Sequence, residues 1–570
     1  MPTPRLLQEE VTTSDAITLV LEQAGIDMVF GISGGHTGHV FTALSKRQNS
    51  IRTVLVREES LAGVMAEVYG RLTGRPGVIL GQGPWVLGNG LIGTIEALLS
   101  SSPMLLLTDL SDTPEFSTHA PYQSGTGEYG NWDARRSYGG VTKAVYPALQ
   151  PAGAVQATQL AIKHALAGQR GPVAVLYSIA ALAGRVGPDS VPRLYETQPY
   201  IPGPLPPEQP DRIQAAAQAL AAARRPVLVA GNGVRIGQAF GPLQALAEAA
   251  GLPVVTTPSG KGAIAETHPL ALGVFGTFGT PAANACVAEA DLVLIVGSKM
   301  TASDTARENP ALLNPERQVL IQIDVEPRNL SWTFPVDHPL LGEAGVVLSQ
   351  LRDACPGGSR LEEGPARVEA HRAAHGFFDH PASRASGSPV MPQRIIAELQ
   401  RALPPDGMVT CDAGENRIFM THFFQTRQAG SFLQAAGAGP MGFAIPAALA
   451  VKLIHPERAV VAVCGDGGFA MTMNGLMTAL ENDLPIVVLV FNNHALGWSK
   501  HSRGPFATEF HDFDHAAMAA AMGCHGIRVR DAEELAPALT EAFACRKPVV
   551  VDVHTSLEVA FSDLVTPLAR

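Results

Sequence analysis

Charge and aromatic surface are in short supply in this 570-residue chain, where charged residues make up 16% and aromatic residues 6%. Basic residues are in deficit, with 41 Lys and Arg against 52 Asp and Glu and a formal net charge of −11. That balance speaks against a general nucleic-acid binder, which needs a basic face. No run of about 20 uninterrupted apolar residues occurs, so no membrane span is expected. The N-terminus, MPTPRLLQEEVTTSDAITLVLEQAG, lacks the apolar core of a secretory signal and reads as a short arm followed by an amphipathic helix. Cysteine is sparse. The six residues, Cys286, Cys355, Cys411, Cys464, Cys524 and Cys545, never form a C-x-x-C pair. Their scatter argues against a zinc or disulfide framework and for reduced thiols in a cytosolic protein. These absences are compatible with small-molecule chemistry in the cytoplasm, with neither nucleic acid nor membrane as a partner.

Glycine (57) and proline (44) are plentiful and spread as turns between apolar runs, as in a loop-rich α/β protein. The length exceeds one core and predicts roughly three domains. Two breaks divide the chain. Residues 187–212 are Pro-dense and lack a period, and residues 355–389 are polar with a short helical pattern. Both read as linkers, leaving domains at 1–186, 213–354 and 390–570. Each alternates short β-branched runs with helical patterns: MVFGI, TVLV, GVILG, MLLLTD and VAVLY; then PVLVAG, PVVTT, LVLIVG and VLIQIDV; then MVTCDAG, SFLQA, AVVAVCGDG, PIVVLVFNN and PVVVDV. The predicted fold class is α/β, three mainly parallel sheets flanked by helices. The first and third domains look like two copies of one open plan, in which ligands collect at the carboxyl ends of the strands.

The third domain carries the sharpest signal. The run AVVAVC leads into Asp466, a helical stretch follows, and PIVVLVF ends on Asn492 and Asn493. The intervening helix makes the strands parallel, and neighbouring tips would lie roughly 5 Å apart. Hard oxygen ligands converging there suit Mg²⁺, whose remaining positions phosphate oxygens can fill. Gly465, Gly467 and Gly468 let backbone amides and a helix N-terminus approach the same anion. Alone, GDG is an ordinary strand-to-helix turn. Two adjacent amides at the end of an apolar strand are costly to bury without partners, and they favour the metal reading.

GDG, a 24-residue gap and NN resemble the signature of thiamine-diphosphate-dependent enzymes. The resemblance covers nearly the whole chain and implies pyrimidine-binding, central Rossmann-like and diphosphate-binding domains in that order. It implies that Asp466, Asn493 and the Ala495 carbonyl hold the metal. It also places Met441 under the bent cofactor, Gly414, Glu415 and Asn416 of DAGENRIF at the diphosphate, and Gly439 and Leu496 among the cofactor contacts. The stretch VREESLAGVMAEVYGRLTG resembles the family's E-x-x-A-x-x-M-A-x-x-Y-A-R-x-T-G element, which makes Glu59 the catalytic acid at the aminopyrimidine. Such an acid needs a dry site that raises its pKa enough to share a proton. Glu58 stands where many relatives have histidine. In the family the two cofactor-binding domains come from two subunits, which implies a homodimer or homotetramer.

The central domain is similar to that of the acetolactate synthase group, many of which bind FAD. Here GTFGTPAAN carries Phe278 in place of the group's histidine, and SKMTASDTAREN departs from R-F-D-D-R, so these residues leave FAD open. The stretch FGISGGHTGHVFTALSK carries His36 and His39 where acetolactate synthases show apolar residues. Histidines here resemble benzaldehyde lyase and cyclohexane-1,2-dione hydrolase, and one could relay protons to a substrate alkoxide. Gln123 lies upstream of the position where relatives place a glutamine, now Tyr129 and Gly130, and Trp498 could wall the pocket. The resemblance implies an acetolactate synthase-like carboligase or lyase. It would act on small carbonyl substrates, 2-keto acids or α-hydroxyketones, through a C2 carbanion-enamine. The alternatives are a 1,2-diketone or acyloin-cleaving hydrolase using His36 and His39, and a non-catalytic cofactor-binding regulatory protein.

Overall fold

A computed structural model describes residues 3–113, 122–355, 362–435 and 437–565. The chain divides into two compact units, Met1–Gly203 and Pro204–Arg570. The first holds a six-stranded parallel sheet of Met28–Gly31, Arg52–Leu55, Gly77–Gly81, Met104–Asp109, Ala144–Ala148 and Pro172–Tyr177. Numbered along the chain, the strands lie in the order 2-1-3-4-6-5. Runs such as MLLLTD and PVAVLY are buried at every residue, because helices cover both faces.

The helix Glu59–Thr73 is seated by small residues. A Cβ on Gly63 would fall 2.8 Å from the Gly90 carbonyl oxygen, and one on Gly70 would overlap the Pro103 carbonyl. Gly74, at φ +70°, ends the helix in the left-handed conformation glycine favours. Farther along this helix, Arg71 bonds Glu67 at 2.6 Å and Glu96 at 2.9 Å. All three are buried, and burial pushes the Glu67 carboxyl up.

The second unit holds two parallel sheets. The central one comprises Pro226–Ala230, Val254–Thr256, Ala271–Val274, Leu292–Val296, Val319–Asp324 and His338–Leu341, in the order 3-2-1-4-5-6. The last comprises Met408–Cys411, Phe432–Gln434, Val460–Gly465, Val487–Asn492, His525–Val529 and Val549–His554. Its order, 2-1-3-4-6-5, repeats that of the first sheet.

Buried polar contacts tie these two sheets together. Lys261 is fully buried against Glu266, at 2.7 and 2.8 Å, and also donates to the Phe424 carbonyl. Glu266 in turn accepts from the Thr426 amide. Arg235 donates to the carbonyls of Gly430, Lys261 and Phe432. Residues 355–389, expected as a linker, contain the helix Glu363–His375. Its Arg367 donates to Glu289 at 2.8 Å and to the Pro226 carbonyl, docking the helix on the central sheet. Residues 356–361 of that segment lie outside the described residues. Among the described residues, no helix is long and apolar enough to cross a membrane.

Candidate active site

In the last sheet, Gly465 pairs in register with Phe491, so Asp466 and Asn492 occupy neighbouring strand tips. The two asparagines then part company. Asn492 turns inward and donates to Asp552 at 2.9 Å. Asn493 turns toward Asp466, and the Ala495 amide lies 3.1 Å from Asn493 Oδ1 and 3.2 Å from Asp466 Oδ2.

The backbone explains the orientation of Ala495. It forms an antiparallel bridge with Glu509. Phe510 donates to the His494 carbonyl and Leu496 to the Thr508 carbonyl, both at 2.7 Å. In such a pairing the intervening residue points its own N–H and C=O away from the partner strand, here toward Asp466. The turn requires φ +55° at His494. Asp466, Asn493 and the Ala495 carbonyl thus present three oxygens of the kind a hard cation takes. Burial pushes the Asp466 carboxyl up to about 6, offset in part by the Gly467 amide. A divalent cation at this edge would favour the ionised form.

Glycines keep this edge open. A Cβ on Gly467 would fall 2.7 Å from Met441 Cε, with Phe510 and Leu496 also in contact. A Cβ on Gly497 would overlap Glu415 Oε2 and come within 3.0 Å of Asn493 Nδ2. The structure therefore gathers Met441, Leu496, Glu415, Gly467 and Asn493 around Asp466. Glu415 Oε1 is already engaged by His501 at 2.6 Å and the Phe561 amide at 3.1 Å. Asn416 turns back to the Asp412 carbonyl at 3.3 Å. Gly414 and Gly439 take φ of +112° and +65°.

Asp412, which was not singled out from the sequence, organises this loop. Its carboxylate is buried and accepts amides from Gly442 at 2.9 Å and Ala444 at 2.6 Å, fixing the turn that carries Met441. Gly468 must lack a side chain because its Cβ would overlap that carboxylate. Trp498 stacks on Phe561 at 3.8 Å between centroids and meets Phe278 edge-on at 5.4 Å.

The carboxyl edge of the first sheet gathers a second polar group. Glu59 opens its helix, is 6% exposed and accepts from Asn89 Nδ2 at 3.2 Å. Glu58 stands just before the same helix, without capping it through its side chain, and accepts from Ser60 Oγ. His36, in the turn after Met28–Gly31, lies beside Asp109 and Asp112. Gln82 follows Gly77–Gly81 and donates to Gln123. His39 is not part of this cluster and lies exposed on the helix Gly38–Ser45, while Tyr129 is 95% exposed. Gln82, Asp109 and Asn89 were not anticipated. The one signal for Gln82 and Asp109 was their place at the end of a mostly apolar strand run, which alone does not mark a site.

The central sheet reverses strand order between Pro226–Ala230 and Leu292–Val296, where a dinucleotide would lie. There Gly231 donates to the Val296 carbonyl at 2.8 Å and Gly233 to the Gly297 carbonyl at 2.9 Å. These two amides are spent on the neighbouring strand tip and do not face outward as donors to a diphosphate.

Comparison with known proteins accounts for this layout. Residues 11–127 match the N-terminal TPP binding domain of thiamine pyrophosphate enzymes. Residues 213–351 match their central domain and 412–553 their C-terminal TPP binding domain. The chain belongs to the thiamine pyrophosphate enzyme family. It is similar to a probable acetolactate synthase large subunit of Methanocaldococcus jannaschii, at 30% identity over 556 residues, covering 95% of this chain and 91% of that protein. An acetolactate synthase of Mycobacterium bovis is 30% identical over 567 residues, covering 95% and 88%. A putative thiamine pyrophosphate-containing protein, YdaP, of Bacillus subtilis is 29% identical over 559 residues, covering 95% and 91%. This thiamine pyrophosphate enzyme carries both TPP binding domains, whose matches span the two polar edges described above.

Proposed function

We propose that this chain is a cytoplasmic carboligase or lyase of the acetolactate synthase-like kind, acting on 2-keto acids or α-hydroxyketones with thiamine diphosphate and Mg²⁺. The carrying observation is the shared Ala495 amide, which draws the Asp466 and Asn493 oxygens to one point. Those oxygens and the Ala495 carbonyl would hold Mg²⁺ against the diphosphate, with Gly414, Gly439, Gly465, Gly467 and Gly468 giving it backbone room. When bound, thiamine diphosphate supplies a nucleophilic carbon and an electron sink.

The chain's residues orient and move protons. Met441 and Leu496 shape the apolar wall beside Gly467. Glu59, shielded from water and steadied by Asn89, would exchange a proton with the aminopyrimidine. His36 would serve the substrate oxygen. The working form is a homodimer or homotetramer, as the family resemblance implies, and sedimentation checks it. The proposal includes no flavin, and visible absorbance of the purified protein should lack a flavin band.

A second reading, a 1,2-diketone or acyloin-cleaving hydrolase, draws support from the two carboxylates beside His36. A product scan with pyruvate, benzoin and cyclohexane-1,2-dione separates the readings: acetolactate from pyruvate supports the first, and cleavage of the dione alone supports the second. A Glu59→Gln variant that kept full turnover would overturn the catalytic role of Glu59. Wild-type protein that binds thiamine diphosphate yet turns over none of these substrates would point to a non-catalytic cofactor-binding protein.

A further inference from the structure

The first sheet contains a buried charge that the proposed chemistry leaves unused. Asp109 ends the strand Met104–Asp109, and its side chain is fully buried. A carboxylate in that position is costly unless its oxygens are satisfied. Oδ1 accepts the Gly83 amide at 3.0 Å, and Oδ2 accepts the His36 amide at 3.0 Å. Ser111 Oγ approaches Oδ2 at 3.4 Å. Burial pushes this carboxyl up, while the amides and His36 pull it down.

The two amides come from different loops. One follows Met28–Gly31 and the other follows Gly77–Gly81, the strands flanking the reversal of strand order in this sheet. Open α/β sheets bind ligands at that reversal. Asp109 therefore staples the two sides of the crevice from below. The sides approach closely above it, since a Cβ on Gly35 would fall 2.7 Å from Gln82 Nε2.

The ring of His36 lies beside two carboxylates. Its Nδ1 is buried without a hydrogen bond. It lies 3.7 Å from Asp109 Oδ2 and 3.9 Å from Asp112 Oδ1, while the side chain is 23% exposed. Asp112 is itself fixed by the Ile179 amide at 2.8 Å. Two carboxylates facing one ring nitrogen favour a proton there, leaving the other nitrogen to act as base.

We propose that Asp109 is the positioning residue of the site: it fixes the His36 and Gln82 loops across the crevice and holds His36 with Nδ1 protonated, so that Nε2 serves a carbonyl substrate. A role confined to folding would need the loop amides but not the proton on Nδ1. This inference rests on reading His36 as the group that serves the substrate.

The test uses the full-length enzyme with ¹⁵N-labelled histidine, the His36 signals being assigned by their loss in His36→Gln. Wild-type His36 should show the Nδ1–H tautomer. In Asp109→Asn that preference should weaken, with both ring tautomers visible. Turnover of pyruvate or benzoin, whichever is active, should fall at least tenfold in this variant with thiamine diphosphate affinity unchanged. An Nε2–H tautomer in the wild type overturns the inference whether or not Asp109→Asn folds. So does an Asp109→Asn enzyme whose His36 keeps the wild-type tautomer unchanged. Failure of the underlying reading looks different: His36→Gln would keep full turnover while the tautomer and its shift remained as stated.

Discussion

Single atoms decide the edge proposed to hold the cation. The Gly497 position has no room for a methyl group, because the Glu415 carboxylate occupies it and is pinned by His501 and Phe561. Gly497→Ala should therefore push Glu415 into Asn493 and weaken thiamine diphosphate binding at least tenfold, with near-native thermal stability. Titration followed by Trp498 fluorescence checks this. Asp466→Ala removes the one charged oxygen of the set, and calorimetry should show Mg²⁺-dependent cofactor binding abolished. At this scale the sequence was only partly legible. GDG and NN stood out because cation chemistry constrains both residue type and spacing. The division of labour between Asn492 and Asn493 did not, because it depends on Asp552, 60 residues farther on. Asp109, Gln82 and Asp412 escaped notice because each is one polar residue at a strand tip, with no spacing to mark it.

Between elements, the helix Glu415–Phe423 links the cofactor edge to the central domain. His422 on this helix donates to the Phe278 carbonyl at 3.1 Å, and burial pushes its pKa from 6.5 down to about 4. Below pH 6.5 the unfolded chain binds a proton that folded His422 refuses, so stability is full above 6.5 and is lost as pH falls toward 4. The loss reaches about 3 kcal/mol. Urea unfolding of His422→Gln should lack that part of the acid slope. The Lys261–Glu266 pair offers a second test between elements. Lys261→Met leaves a buried carboxylate uncompensated and should cost about 3–5 kcal/mol, and adding Glu266→Gln should recover part of it. Denaturant midpoints of the single and double variants decide the matter. The inner strands were readable, since fully apolar runs of that length are what doubly covered parallel sheets require, but the edge strands Ala144–Ala148, Ala271–Val274, His338–Leu341 and His525–Val529 were not. The docked helix Glu363–His375 was not, because its polar composition gives little sign of the Arg367 contacts that hold it.

At the scale of the whole molecule, removing the cation should release the cofactor. Dialysis against EDTA is expected to yield protein free of thiamine diphosphate and inactive, with activity restored by adding Mg²⁺ and cofactor together. Return of activity with the cofactor alone would remove the metal from the proposal. The order of the three sheets along the chain was legible, but the identical strand order of the first and last sheets required coordinates, because hydrophobic runs do not reveal which neighbours pair.

That shared order carries a consequence of its own. Overlaying one sheet on the other sets Gln82 on the position of Asp466 and Asp109 on that of the Asn492–Asn493 pair. The two edges are near-negatives: the third strand ends in an amide and the fourth in an acid on one, and the reverse holds on the other. A single scaffold thus carries two differently charged edges, the one proposed for a divalent ion and the one proposed to hold an imidazole, by exchanging which of two adjacent tips bears the anion.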